Sequence, residues 1–459
     1  MFEIDFQKPI HVYFMGIGGI SMSGLAEILL SRKFTISGSD MKESPLTRQL
    51  SEEGARIYYG QQTSHIDDTV DLVVYTAAIH EDNPEFQDAL ARKLPMLSRA
   101  QLLGQLMRNY ELPIAVSGTH GKTTTTSMIS DVLLACETDP TLTIGGILPS
   151  IGGNIRIGHS PYFVTEACEY TNSFLSFFPK ISIILNVEED HMDFFHNIEE
   201  IRQSFHHFAA LLPGEGTLII NKDIPGLSSI CEQLSCRVLR YGFDEDCDCY
   251  ATDICYDEKG HPSFLLHLGE HPPVRVRLGV PGKHNVSNSL AVFALSDLLG
   301  LPFEKTTEAL SRFTGTKRRF EFKGKLGDIT IIDDYAHHPT EIRATLEAAK
   351  AWPHNRLWCI FQPHTYTRTN AFLHEFAQAL SLADEIILAD IYAAREINTI
   401  GITSLDLKKE IEGLGKTCHY FPTFDEIENF LLENSINGDL LITMGAGDIV
   451  KIGENLLGI

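Results

Sequence analysis

The residues most suited to chemistry form one short run, Gly118-Thr119-His120-Gly121-Lys122-Thr123. Those types at that spacing suit a nucleoside triphosphate. The glycines let backbone N–H groups close around phosphate oxygens, Lys122 can reach the outer phosphates, and the Thr123 hydroxyl can ligate magnesium. An apolar run at residues 114–116 leads into the loop, and a helix-compatible stretch at residues 124–134 follows it. That strand-to-helix context is what places a loop on a helix N-terminus. The loop is two residues shorter than GxxxxGK[ST], a departure that points to a subset of nucleotide enzymes.

Two later segments offer metal-binding oxygens. Residues 162–175 read YFVTEACEYTNSFL, a strand that delivers Glu166 and Glu169 to a loop. Residues 181–185 are strongly apolar and end at Asn186, followed by Asp190, His191 and Asp193. Ligands of an open parallel sheet sit beyond the carboxyl ends of its strands, so Glu166 and His191 are expected to converge near Thr123. Oxygen ligands suit magnesium, whereas His191 reads equally well as a direct ligand or as a supporting histidine.

A second loop sits nearer the start. Residues 11–40 read as strand, Gly16-Ile17-Gly18-Gly19, helix, and a second strand ending at Asp40, about 24 residues after the first glycine. The third glycine, Gly24, falls inside the helix, so the spacing is not GxGxxG. The pattern favours a nucleotide diphosphate on the helix N-terminus, with Asp40 available for a ribose or base. The alternatives are a nicotinamide cofactor and a plain turn with no ligand.

Other elements must hold these loops in place. A connecting helix within residues 99–112 and Pro113 close the first unit. Residues 145–146 and 151–154 are glycine-rich loops that allow close backbone approach. Residues 211–280 read as short, peripheral antiparallel strands, with the acidic run 244–253 as a solvated loop. Residues 281–300 predict an amphipathic helix whose entry carries His284, Asn285 and Asn288, as caps or as contacts to an adenine edge. The cluster Lys317-Arg318-Arg319 marks a boundary and reads as phosphate neutralisation or as a solvated turn. A third α/β unit follows, with a strand ending at Asp333-Asp334, His337 and His338 in a loop, and Pro339 starting a helix. Its further strand candidates end at loops holding His364 to Arg368, Arg395-Glu396, and residues 445–448.

Composition narrows the classes. Hydrophobic residues make up 43% and charged residues 21%, as in ordinary globular proteins, and the length predicts two to four domains. A formal net charge of -24 argues against a nucleic-acid surface. Nine cysteines without a CxxC pair fit a reducing cytoplasm. The start is too charged for a signal peptide, and no run of about 18 apolar residues predicts membrane insertion.

The motifs GIGGISMSG, SGTHGKTTTT, EACEYTNSF, NVEEDHMD, HNVSNSLA, KRRFE, DDYAHHPTEI and QPHTYTR occur in that order over nearly the whole chain. Together they resemble the Mur ligase family of cell-wall precursor enzymes, and most nearly its alanine-adding branch. The resemblance implies an α/β chain of three domains: a Rossmann-like UDP-substrate domain (1–106), a central P-loop ATPase-type domain (107–315) and a C-terminal Rossmann-like domain (316–459). It implies a cytoplasmic enzyme of peptidoglycan synthesis, and so of cell shape and division, acting as a monomer or weak homodimer. Its substrates would be ATP, L-alanine and UDP-N-acetylmuramate, joined through an acyl phosphate with magnesium as cofactor.

Residue by residue, the resemblance implies ATP contacts at Gly118, Thr119, His120, Gly121, Lys122, Thr123, Thr124, His284, Asn285, Asn288, Arg319 and Asp334. Thr123, Glu166 and His191 match the metal positions. Gly16, Gly18, Gly19 and Asp40 match the UDP site, and Arg368 the position facing the muramyl or amino-acid substrate. Lys122, His191, Arg319 and His337 are the expected catalytic set. No lysine occurs between Asp193 and Lys222, so the carbamylated lysine of several sister ligases has no counterpart here. The competing readings are a ligase attaching an intact tripeptide to UDP-N-acetylmuramate, a nicotinamide-dependent dehydrogenase, and an ATP-driven switch protein.

Overall fold

The computed structural model describes residues 2–76, 78–269, 271–394 and 396–459. Its strands form three sheets. In the first, five parallel strands lie in the order Arg56–Tyr59, Thr35–Asp40, His11–Met15, Leu72–Tyr75, Met96–Ser98. The chain reverses direction across the sheet at His11–Met15, so the loop of Gly16 to Gly19 opens at the switch point where such folds bind ligands. Strands such as Leu72–Tyr75 are apolar throughout because helices cover both faces of a parallel sheet.

Among the described residues the central sheet has ten strands. Leu112–Ser117 lies between Tyr162–Ala167 and Ile181–Ile184, parallel to both. Its end feeds the triphosphate loop, with Glu166 the last residue but one of one neighbouring strand and Asn186 two residues beyond the end of the other. The expectation of peripheral antiparallel strands over residues 211–280 holds for one part and fails for another. Thr217–Asn221 and Arg237–Gly242 extend the sheet in parallel. Thr217–Asn221 is buried and mostly apolar, and the helix Ile198–Ala209 supplies the crossover that its parallel pairing needs. Antiparallel pairing begins between Cys249–Tyr256 and Pro262–Leu268, the latter with alternate residues buried. The acidic run therefore ends inside a strand, with Cys249 fully buried.

The helix Lys283–Leu298 also departs from expectation. It is buried nearly all round, because it lies between the central sheet and the helices Lys122–Ala135 and Phe303–Arg312. The third sheet runs Glu321–Leu326, Ile329–Asp334, Leu440–Met444, Leu357–Phe361, Glu385–Leu388, Cys418–Tyr420, antiparallel at its first edge and parallel elsewhere.

Gly24 and Gly104 are explained by the contact between the first two domains. A Cβ on Gly24 would lie 1.7 Å from Ile155, and one on Gly104 would lie 1.9 Å from the Ser176 backbone oxygen. Helix packing, and no phosphate, requires the glycine inside the first helix. All nine cysteines are free thiols.

Candidate active site

The triphosphate loop turns through left-handed conformations at Gly118 (φ 146°) and Gly121 (φ 83°), and Gly121 caps the helix Lys122–Ala135. Lys122 Nζ donates to Glu169 Oε2 at 2.9 Å and to the Thr119 carbonyl at 3.1 Å. Burial alone would weaken its charge, but Glu169 outweighs it and raises the Lys122 pKa. Thr123 Oγ1 donates to Glu166 Oε2 at 3.1 Å, and Gly145 N–H donates to Glu166 Oε1. A side chain at Gly145 would collide with that carboxylate.

These donors fit magnesium. Thr123, Glu166 and Glu169 offer hard oxygens, and Glu169 Oε1 is buried with no hydrogen-bond partner among the described residues. His191 Nε2 lies 3.6 Å from that oxygen and 3.9 Å from Asp190 Oδ2. Burial pushes its pKa down, which favours the neutral ring that a metal needs. The structure thus joins Thr123 to Glu166 directly and sets His191 beside Glu169, a carboxylate the sequence offered and the expected metal set omitted.

A cavity of about 280 Å³ lies between the second and third domains. His120, Gly121, Thr124, His284, Asn285, Asn288, Arg319 and Asp334 all line it, so residues spread over two hundred positions of sequence meet at one place. Gly282, with no side-chain cap, starts the helix, so His284, Asn285 and Asn288 do not cap it. Asn285 instead donates to the Pro281 carbonyl and accepts from Asn288. His284 stays exposed at the helix entry and lines the cavity wall. Burial raises Asp334 to about 6, while its oxygens accept from Ala336 and Phe320 N–H groups and from Thr345. Of the basic cluster, Arg318 bonds Asp333 and the Gly445 carbonyl, which leaves Arg319 to face the cavity.

His120 stands where the two domains meet. Its Nδ1 is 3.3 Å from Glu341 and its Nε2 is 3.7 Å from Glu188. Burial alone would lower its pKa, but the two carboxylates hold it up at about 9. Thr340 donates to Glu188 at 2.6 Å, and His338 Nε2 donates to the Glu189 carbonyl at 3.1 Å. Glu188, His338, Thr340 and Glu341 were absent from the expected site, although NVEEDH and HHPTE contain them. Their pairing across the domain boundary left no local pattern in the sequence.

A second cavity, of about 690 Å³, brings together His80 of the first domain, Tyr170, Asp190 and His191 of the second, and His364, Arg368 and Glu396 of the third. Arg368 Nη2 donates to Asp190 Oδ1 at 2.9 Å. Arg368, expected to face the muramyl or amino-acid substrate, lines this cavity. His337 Nδ1 bonds the Tyr335 carbonyl at 3.0 Å, and its ring meets that of His364 edge-on. Arg395 lies outside the described residues.

In the first domain, Gly18 N–H donates to Asp40 Oδ2 at 2.8 Å, and a Cβ on Gly18 would lie 2.8 Å from the same oxygen. Asp40 therefore braces the loop.

Comparison with known proteins agrees along the whole length. Residues 11–111 match the model of the Mur ligase family catalytic domain, 116–296 the Mur ligase middle domain, and 318–447 the Mur ligase glutamate ligase domain. The chain belongs to the Mur ligase family. It is 58% identical to the UDP-N-acetylmuramate--L-alanine ligase of Agathobacter rectalis and 56% identical to that of Lachnospira eligens, covering 100% of both chains in each case. It is similar to the crystal structure of the UDP-N-acetylmuramate-alanine ligase of Thermotoga maritima, with a TM-score of 0.82, 29% identity and 98% of each chain covered. The murein peptide ligase of Psychrobacter arcticus is also similar, with a TM-score of 0.73, 27% identity and 98% of each chain covered.

Proposed function

We infer that this enzyme joins L-alanine to the carboxylate of UDP-N-acetylmuramate, using ATP and releasing ADP and phosphate. Full-length identity of 58% to a ligase of that name carries the reading. The tripeptide alternative has weaker support, since the murein peptide ligase is less similar in fold than the alanine ligase. Family membership leaves no place for a dehydrogenase.

The residues fit a sequence of two displacements. The muramyl carboxylate oxygen attacks the γ-phosphorus of ATP, and ADP leaves. The alanine amine then attacks the acyl carbon, loses a proton, and phosphate departs with the original carboxylate oxygen. Catalysis of this kind is mainly positioning and charge neutralisation. Lys122, with the loop N–H groups, would hold the β- and γ-phosphates, and Arg319 would neutralise charge from the third domain. The His284 ring, with Asn285 and Asn288, would meet the adenine. Magnesium, held by Thr123 and Glu166 with His191 close by, would neutralise phosphate charge. Gly16, Gly18, Gly19 and Asp40 would seat the UDP group. Arg368 would border the muramyl or amino-acid side of the cleft, His337 with Asp334 the ATP side, and the three domains would correspond to residues 1–106, 107–315 and 316–459. No helix among the described residues is long and apolar enough to cross a membrane, which suits soluble substrates.

Substrate carrying ¹⁸O in the muramyl carboxylate tests the chemistry. One labelled oxygen should appear in the released phosphate for each amide formed. Unlabelled phosphate beside amide product would exclude the acyl phosphate.

A further inference from the structure

Arg99 opens the helix Arg99–Met107, which leads from the first domain towards the second. Its side chain is partly buried. Among the described residues, none forms a hydrogen bond or ion pair with that side chain. Burial disfavours its charge, and Cys168 and Glu166 offset that only in part. A guanidinium does not shed its proton in a protein, so a partly buried one without a paired carboxylate is costly to keep. Such a group is retained where an anion arrives to meet it.

Its surroundings indicate which anion. Arg99 lines a cavity of about 140 Å³ together with Ser21, Gly145, Asn154 and Glu166. Ser21 lies in the first turn of the helix Ile20–Ser31, directly after the loop of Gly16 to Gly19. Glu166 is the carboxylate bonded to Thr123 at the head of the triphosphate loop. Asn154, from the second domain, donates to the Ile20 carbonyl and ties the two sides of the cavity together. The cavity therefore spans the gap between the diphosphate-type loop of the first domain and the phosphoryl end of the second. An acid linked to UDP has to bridge that same gap to be phosphorylated.

We propose that Arg99 receives an anionic group of UDP-N-acetylmuramate, either its lactyl carboxylate or its diphosphate, and thereby sets the acid in front of the triphosphate. The proposal rests on the substrate reading above and adds a binding residue to it. Among the described residues of the ligand-free protein, Arg99 has no hydrogen-bond or ion-pair partner, and Glu166 offsets its charge only in part. In the complex it is half of an ion pair.

Calorimetric titration of the full-length protein with UDP-N-acetylmuramate, in the absence of ATP, tests this with wild type, Arg99→Met and Arg99→Lys. Arg99→Met should lose at least tenfold in affinity, Arg99→Lys should recover part of it, and ATP affinity should stay within twofold. The ligand-free melting temperature of Arg99→Met should match or exceed the wild-type value, because the change removes an unpaired, partly buried charge and keeps an apolar stem. UDP-N-acetylglucosamine, which lacks the carboxylate, separates the two anions. Unchanged affinity for it in Arg99→Met assigns the carboxylate, and a parallel loss assigns the diphosphate. Wild-type affinity of Arg99→Met for UDP-N-acetylmuramate would overturn the proposal. So would lost binding accompanied by a clear fall in ligand-free melting temperature, which would make Arg99 a structural prop. Failure of the wild type itself to bind would overturn the substrate reading, and this proposal with it.

Discussion

Arg368 of the third domain holds Asp190 of the second at 2.9 Å, with both side chains close to fully buried. Burial alone would raise the Asp190 carboxyl, yet Arg368 keeps it well below the usual carboxylate range. The pair joins two domains at the wall of the three-domain cleft, where an ion removed leaves its partner buried and unmatched. Arg368→Ala is expected to raise KM for UDP-N-acetylmuramate or L-alanine at least tenfold while ATP affinity stays within twofold. Steady-state kinetics with each substrate varied in turn checks this. An unchanged response to both would remove Arg368 from the acceptor side.

Lys122 rests on Glu169 and on carbonyls of its own loop. Its ammonium is therefore placed before any phosphate arrives. Lys122→Ala should lower kcat by about a thousandfold or more, the scale of losing a preorganised charge at a transferring phosphoryl group. Circular dichroism should report an intact fold. More than a tenth of wild-type activity in a confirmed variant would contradict the role.

Thr123 and Glu166 share a hydrogen bond that a bound cation would replace with two oxygen ligands. Thr123→Val keeps the shape and removes the hydroxyl. The magnesium concentration for half-maximal rate should rise by about tenfold, the lower end for a weakened metal site. Magnesium titration at fixed ATP reads this directly, and a superimposable curve would exclude Thr123 as a ligand.

His120 carries the pH dependence of the boundary between the second and third domains. Its pKa of about 9 in the fold exceeds the ordinary value of about 6.5 for a free imidazole. A raised value means that the charged form stabilises the fold. That contribution is complete below about pH 6.5 and is lost as pH rises through about 9. The melting-temperature gap between wild type and His120→Gln should be widest at pH 6 and should narrow by pH 9.5. A gap that widens with pH would reverse the assignment.

Local pattern accounts for most of what the sequence disclosed. The loop glycines, the strand ends at Glu166 and Asp334, and the helix after Pro339 each announce themselves within about ten residues. The parallel pairing of Thr217–Asn221 was less legible, because a short apolar run does not state which neighbour it will join. The all-round burial of Lys283–Leu298 depends on two flanking helices and a sheet, so its own polar residues misled the amphipathic reading. The pairs His120 with Glu341 and Arg368 with Asp190 join residues more than a hundred positions apart. The fold alone brings them together. Glu169 was visible three residues after Glu166, but its unpartnered oxygen is a property of packing.

The most direct test of the account is phosphate release from ATP with UDP-N-acetylmuramate and magnesium, in the presence of L-alanine, an L-alanine-led tripeptide, or no amine. The account predicts release that requires L-alanine, matched one for one by the amide product in a mass spectrum. Release with the tripeptide and none with L-alanine would contradict it.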